Sequence, residues 1–532
     1  MLPIKLPPVL KVAFCVLLFA SLTFGCVPSA STPRAPDYNL VTADPNSTAT
    51  PTPFQPALPT DAPIPSATQI PTWTVVPTDT ATFTPLSPTD TPTSVPVTPT
   101  LSPTSAPVNT RTQYTFYVSL KYAAHSLHAD ETIQYTNTTG QILSNIVLAV
   151  EPNLSSGCFS LTSFVQDGRA VTGYSLNGQR LAFDLSRNLS PNATTNFALS
   201  FDLLLPAKNL EKTFGYLDNQ INLTDWYPFI VPYENGWILH DPWSFGEHLV
   251  YDAADYDVNL KVDDPSVMIA ASALQGTNGD WLEYRLEAAR TFVLSASNHF
   301  KMDDSAVGSV KIRSYYFAGD ENASGEVVWM ATQSLGLYDV KFAPYPYQSI
   351  SIVETDVPDG QEYDGLVFLA AKFYNQYNGS AKSNLVMIGT HEIAHQWWFG
   401  LVGSDQAEEP WLDEAMAVYS ERIFYQYNYP NYGDWWWNFR VNYFGPSGYV
   451  DGSIYDYSTF LSYVNAVYLN GANFLDALRT RVGDDTYFAF LKDYATRYAH
   501  RHVTAADFFA TLRLHTDTSF SDIIQEYFQQ SH

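Results

Sequence analysis

The 532-residue chain carries 54 acidic side chains against 27 basic ones, a net charge of −27, which argues against phosphate backbones as partners and indicates no nucleic-acid role. At 45% apolar and 15% charged residues it can bury sizeable cores in two or three domains, so it is not disordered throughout. The only cysteines are Cys15, Cys26 and Cys158.

At the N-terminus Lys5 and Lys11 are followed by "VAFCVLLFASLTFG", an apolar run of about 14 residues, shorter than the ~20 a membrane-spanning helix needs. It reads as a secretory signal. The run ends at Gly25-Cys26, which resembles a bacterial lipoprotein signal whose cysteine becomes acylated, although Thr23 stands where Leu or Val is usual. Residues 1–26 are therefore expected to be a signal peptide with Cys26 as its lipidation site. The chain would be extracytoplasmic and lipid-anchored to the cell membrane, with secretion as the alternative. Cys158 is then left without a disulfide partner and is expected to be a small buried hydrophobe.

Residues 27–111 are dominated by Pro, Thr and Ser, as in "TPTSVPVTPTLSPTSAP", and are too poor in large apolar residues to pack. They read as a disordered stalk, extended at roughly 3 Å per residue.

Across 112–302 short alternating segments predict strands. "YTFYVSLKY" puts Tyr114, Phe116, Val118 and Leu120 on one face, and "YDVNLKV" does the same with Val258, Leu260 and Val262. Separated by Gly, Asn, Pro and Asp clusters, these strands predict an antiparallel β-sandwich-like domain. From about 303 to 532 strand-like "SVKIRSYYF" and "SISIVETDV" flank a helical stretch around "SGEVVWMATQSLGLYDV", and after Ser383 the pattern is largely helical. The class is α+β. Gly400 marks a helix stop and Pro410 a helix start.

In "HEIAHQWWFG" His391 and His395 lie one helical turn apart on the same face, so both imidazoles can reach one ion. Glu392 sits about 100° round the axis, where it can address water without ligating. Alone, the motif leaves open a surface helix with unrelated histidines. The stretch "EPWLDEAMAVYSERIFYQ" changes the balance. Glu414 follows His395 with 18 residues between, enough to bring a second helix antiparallel beside the first and supply a third ligand. Two histidines, a glutamate and an open fourth position form a catalytic zinc arrangement, and this donor set favours zinc over harder ions.

The segment "HEIAHQWWFGLVGSDQAEEPWLDEAMAVYSE" resembles the gluzincin zinc aminopeptidases, the family of aminopeptidase N and of the leukotriene-epoxide hydrolase. The resemblance is close over 391–421 and looser over about 112–528. It implies a β domain followed by a thermolysin-like, mainly helical zinc peptidase domain with one zinc ion. Glu421, two turns after Glu414, suits an acceptor for a ligand histidine's free N–H, with an exposed helix glutamate as the alternative. Trp397, Trp398 and Trp411 are expected to pack between helices.

In the family a Gly-x-Met-Glu-Asn-x-Gly-Leu segment supplies a glutamate for the substrate's free α-amine. Aligning "DGQEYDGLVF" on Gly365-Leu366 puts Glu362 there, with Gln361 and Tyr363 replacing the methionine and asparagine. A second polar anchor, which many relatives draw from the β domain, has no recognisable counterpart around "LTDWYPFIVPYENGWILHDPW". The family's oxyanion-stabilising tyrosine matches Tyr468 of "AVYLNGANF", with Tyr455, Tyr457 and Tyr463 as rivals. The resemblance implies a zinc aminopeptidase that removes N-terminal residues from peptides, with Glu392 as general base. Its substrates would be peptides with a free N-terminus. A zinc endopeptidase or other hydrolase on the same scaffold, and a non-catalytic surface binding module, remain as alternatives. His500, His502 and His515 are expected to be non-ligating, and the aromatic run "FYQYNYPNYGDWWWNF" either lines a subsite or packs on itself.

Overall fold

The computed structural model describes residues 110–208 and 213–532. The expected signal peptide, Cys26 and nearly all of the expected stalk lie outside the described residues. Among those residues no helix is long and apolar enough to cross a membrane.

The alternation read in "YTFYVSLKY" forms the strand Gln113–Lys121, whose Tyr114, Phe116, Val118 and Leu120 are all buried. It lies at the middle of an eight-stranded sheet. It pairs antiparallel with Ser126–Thr136 but parallel with Ala254–Val262. The sheet is therefore mixed, not purely antiparallel as expected. The physical reason is the connection: the chain leaves this sheet to build others before Ala254–Val262 returns in the same direction as the first strand, and so long a crossover allows parallel pairing. Two four-stranded sheets accompany it. Inner faces meet through aromatic pairs such as Phe164 on Phe183, with ring centroids 4.7 Å apart, and Phe116 on Trp226, 5.1 Å apart. Cys158 is buried and free, as expected. Asn137 is fully buried, and its amide donates to the carbonyls of Gln141 and Leu189, so this sequon asparagine closes a loop.

A five-stranded sheet follows, in the order Lys301–Val307, Val310–Tyr316, Ser349–Thr355, Leu366–Ala370, Gly360–Tyr363. Its last strand, at the edge, is antiparallel to its neighbour. The long helix Glu321–Lys341 packs on the first two of these strands and against the helix Asn384–Ala394. That second helix is buried from its second residue onward, which explains the unbroken apolar run Leu385, Val386, Met387 and Ile388. Ser383 caps it, accepting from the Val386 amide. It ends at Ala394, with His395 as C-cap, several residues before Gly400. Pro410 begins a short 3₁₀ turn, Pro410–Leu412, that leads into the helix Glu414–Asn428.

Buried polar side chains join the β-rich and helical parts. Gln220 donates to the Glu354 carbonyl at 3.1 Å and Asn222 to Thr355 Oγ1 at 2.9 Å. The fully buried Arg290 gathers three carbonyls from distant segments: Phe399 at 2.6 Å, Tyr251 at 2.7 Å and Arg501 at 2.8 Å. Trp397, Trp398 and Trp411 are all buried in the core between helices, as expected.

Candidate active site

His391 and His395 project from the end of the Asn384–Ala394 helix, and Glu414 opens the helix beside it. Their inner atoms converge. His391 Nε2 lies 3.1 Å from His395 Nε2, and Glu414 Oε2 lies 3.2 Å from the first and 3.6 Å from the second. Ligands held about 2.0–2.1 Å from one tetrahedral ion stand roughly 3.3–3.4 Å from one another, so this triad fits zinc without rearrangement. Glu414 Oε2 is buried without a hydrogen-bond partner, an atom that calls for a cation.

The outer nitrogens are tied back. His391 Nδ1 lies 3.0 Å from Glu421 Oε1, so Glu421 faces a ligand histidine rather than solvent. His395 Nδ1 lies 2.5 Å from Asp413 Oδ1, and Asp413 is itself held by Gln406. Each carboxylate fixes a tautomer in which Nε2 is free to ligate. Asp413 went unread in the sequence, although its position directly before Glu414 was the available signal. Glu421 is in turn clamped by Arg440 and Trp436.

The site lies in a cavity of about 450 Å³ whose wall includes His391, Glu392, His395, Glu414, Glu362 and Tyr468. Every residue singled out from the sequence for the chemistry is thus brought to one place, and Glu421 stands directly behind it. Glu392 Oε2 is buried and unpartnered. A Cβ on Gly360 would lie 2.1 Å from Glu392 Oε1, so only glycine lets the edge strand pass this carboxylate. Glu362 sits on that strand, which Gln396, just past His395, secures by donating to the Tyr363 carbonyl and accepting from the Gly365 amide. Tyr468 lies in a π-helical turn, Val464–Asn470, its ring nearly parallel to that of His391. Of its rivals, Tyr455 donates to the Asp241 carbonyl and Tyr457 to the Tyr449 carbonyl, while Tyr463 is buried edge-on against Tyr468.

The structure adds Glu247, whose carboxylate lines the cavity with Glu362 and lies within 4.8 Å of both Glu362 and Glu414. It comes from an irregular segment just beyond the stretch searched for a second anchor. Trp243, Phe245 and Phe460 form an aromatic part of the wall. The "FYQYNYPNYGDWWWNF" run instead packs largely on itself, through pairs such as Tyr425 with Trp435 and Trp435 with Phe439. His502 meets the Tyr251 carbonyl and His515 meets Asp493, and His500 joins no metal-ligating cluster among the described residues.

The electrostatics reflect a crowd of acids awaiting positive charge. Burial, reinforced by Glu414 and Asp413, pushes Glu247 up to about 8. Burial likewise lifts Glu392 to about 8, although His391 and His395 oppose the shift. Glu362 is raised well above the usual carboxylate range by burial, then by Glu247, Glu414 and Glu392. Burial disfavours charge on His391, but Glu414 and Glu421 outweigh it and raise the imidazole to about 9. A dication among the ligands and an ammonium beside Glu247 and Glu362 would each relieve this repulsion.

A mixed sheet with an acidic edge strand, a paired-helix His₂Glu centre and an unpartnered carboxylate beside it resemble a gluzincin-type metallopeptidase architecture. Residues 333–527 match the Peptidase family M1 domain. Over that segment the chain is similar to this family, a likeness that implies a single catalytic zinc ion. Among curated relatives it is similar to Aminopeptidase M1-B of Oryza sativa subsp. japonica, 24% identical over 246 residues, 43% of this chain and 28% of that protein. It is also similar to Endoplasmic reticulum aminopeptidase 1 of Rattus norvegicus, 22% identical over 265 residues, 47% of this chain and 28% of that protein. The chain thus spans under a third of the length of these relatives. Among solved structures, the M1 zinc metallopeptidase from Deinococcus radiodurans shares the fold, with a TM-score of 0.58 at 19% identity over 79% of this chain and 94% of that one. Its E323A mutant bound to a Tyr-Ser-Ala substrate superposes with the same TM-score, at 18% identity over 79% of this chain and 95% of that one.

Proposed function

We propose that the protein is a zinc aminopeptidase that removes N-terminal residues from peptides. The observation that carries this reading is the pair Glu247 and Glu362, set beside ligand Glu414 at the His395 end of the cavity. Two carboxylates there form a receptor for one substrate ammonium, a group that a closed site must pair. With the ammonium fixed, the first peptide carbonyl is the one held at the metal centre.

When bound by His391, His395 and Glu414, zinc supplies Lewis-acid polarisation of the scissile carbonyl and of the attacking water. Glu392, with Oε2 free, takes the water's proton and returns it to the departing amine. Tyr468 donates its phenolic hydrogen to the carbonyl oxygen as negative charge develops. Asp413 and Glu421 keep the two imidazoles in register throughout.

The test compares a free-amine dipeptide with its N-acetylated form on the zinc-loaded protein. Hydrolysis of the free amine alone is expected, and similar rates for both would replace this reading with an endopeptidase. Glu392→Gln should retain zinc and lose turnover by about 10²–10⁴-fold.

For location, we propose an extracytoplasmic protein anchored through Cys26, with secretion as the alternative. The support is the apolar run ending at Gly25-Cys26. Radiolabelled palmitate incorporated by the wild type and lost in Cys26→Ala is the expected result. No label in either would leave the secreted form.

A further inference from the structure

Apart from the two histidines, Arg440 is the only basic residue in the cavity wall among the described residues. It is 1% exposed. Its Nε and Nη2 are committed to Glu421, at 3.1 Å and 2.9 Å, and among the described residues Glu421 is its only ion-pair partner. Nη1 has no partner. A buried guanidinium normally satisfies its fork of donors, so an idle Nη1 on a group that lines a cavity marks a place for an acceptor brought from outside.

The position of Arg440 gives the acceptor its identity. Glu421 holds His391, so the guanidinium stands at the His391 end of the metal centre, and its other main electrostatic neighbours are Asp359 and Tyr468. The acids Glu247 and Glu362 gather at the opposite end, around His395 and Glu414. Across the three ligands the cavity therefore carries acids alone where the substrate's amine would sit, and its one guanidinium, beside Asp359, beyond the scissile bond. A dipeptide matches this division, with an ammonium on one side of its single peptide bond and a carboxylate on the other. An ionised carboxylate is also a stronger acceptor for guanidinium than the neutral carbonyl that a longer chain presents there.

We propose that Arg440 Nη1 receives the terminal carboxylate of a dipeptide substrate, making this site selective for zwitterionic dipeptides. The inference rests on the peptidase reading above. Asp359 narrows the landing place. It lines the same wall with Oδ1 buried and unpartnered, and so repels a carboxylate that strays from the guanidinium.

The experiment measures kcat/KM of the zinc-loaded protein for a free-amine dipeptide and for the same dipeptide as its C-terminal amide. The wild type should prefer the acid by on the order of tenfold or more. Arg440→Lys, which keeps a charge beside Glu421 but loses the fork, should bring the acid-to-amide ratio towards one. Asp359→Asn, which leaves the Arg440–Glu421 pair intact, should raise it. If Arg440 serves only to orient Glu421 and His391, both substrates slow together in Arg440→Lys and the ratio holds, which overturns the proposal. Should Arg440→Lys fail to fold, a wild-type ratio near one or a falling ratio in Asp359→Asn overturns it equally. Wild-type turnover of the amide tests the peptidase reading independently. Hydrolysis of neither substrate removes that reading and this proposal together.

Discussion

Asp413 Oδ1 lies 2.5 Å from Nδ1 of His395, while the next residue, Glu414, sets Oε2 3.6 Å from Nε2 of the same ring. Consecutive carboxylates thus address both nitrogens of one imidazole, one to orient it and one to share its metal. Removing the orienting partner with Asp413→Ala should weaken zinc binding by about 10–100-fold while the fold persists. A competition titration against a chelator measures this, and unchanged affinity would show that His395 needs no such support.

Gly360 is the point where the edge strand crosses the general base, with room for no side chain. Gly360→Ala should displace Glu392 and lower kcat by about 10²-fold, because a shift near 1 Å at the reacting groups suffices for that loss. Zinc content should be unaffected, since the atoms nearest the added methyl all belong to Glu392 and none to a ligand. Full activity in the variant would remove Glu392 from the role of base.

Glu247 and Glu362 come from two distant segments and set their carboxylates within 4.8 Å of one another. Glu247→Gln should therefore raise KM for free-amine peptides by at least about tenfold and leave any residual cleavage of N-acetylated ones unaltered. Equal effects on both substrate types would place Glu247 outside amine recognition.

Glu131 lies far from the site, 1% exposed on the strand Ser126–Thr136, between Phe116 and Leu199 on the neighbouring strands. Neither carboxylate oxygen has a partner, and burial alone raises the carboxyl well above its usual 4.5. Because the folded pKa exceeds the unfolded one, the unfolded chain releases this proton first, and stability falls as pH rises from about 4.5 towards the folded value. Glu131→Leu should stabilise the protein by about 1–3 kcal/mol near neutral pH and by less at acid pH. Melting temperatures of both proteins at pH 5 and pH 8 check this, and a gap that does not widen with pH would contradict it.

How far the sequence could be read depended on whether a residue's partners were periodic neighbours. His391, Glu392 and His395 were legible because helical spacing fixes which side chains share a face, Glu414 because 18 residues suffice to bring a second helix beside the first, and Glu421 because it follows Glu414 by two turns. Tyr468 was legible through the glycine that follows it closely. Gly471 would place a Cβ 2.4 Å from Ala415, so the tight approach of its helix to the Glu414 helix needs a residue without a side chain. Glu247 was not legible, because it lies in an irregular segment with no periodicity and reaches the cavity only through the packing of the β-rich part. Arg440 was hidden for a different reason. It directly follows an aromatic run that could line a subsite or pack on itself, and composition gives no sign that an arginine there is buried against Glu421. The parallel pairing of the first strand was likewise invisible, since alternation marks a buried face but not the direction of the neighbour.

The buried Arg290 pins three distant segments of the chain to one point. Its three bonded carbonyls belong to the segment after Glu247, the turn after the histidines and the chain near the C-terminus. The approach of these three segments is therefore set by the span of one planar cation, and they cannot part without stranding three acceptors in the dry interior.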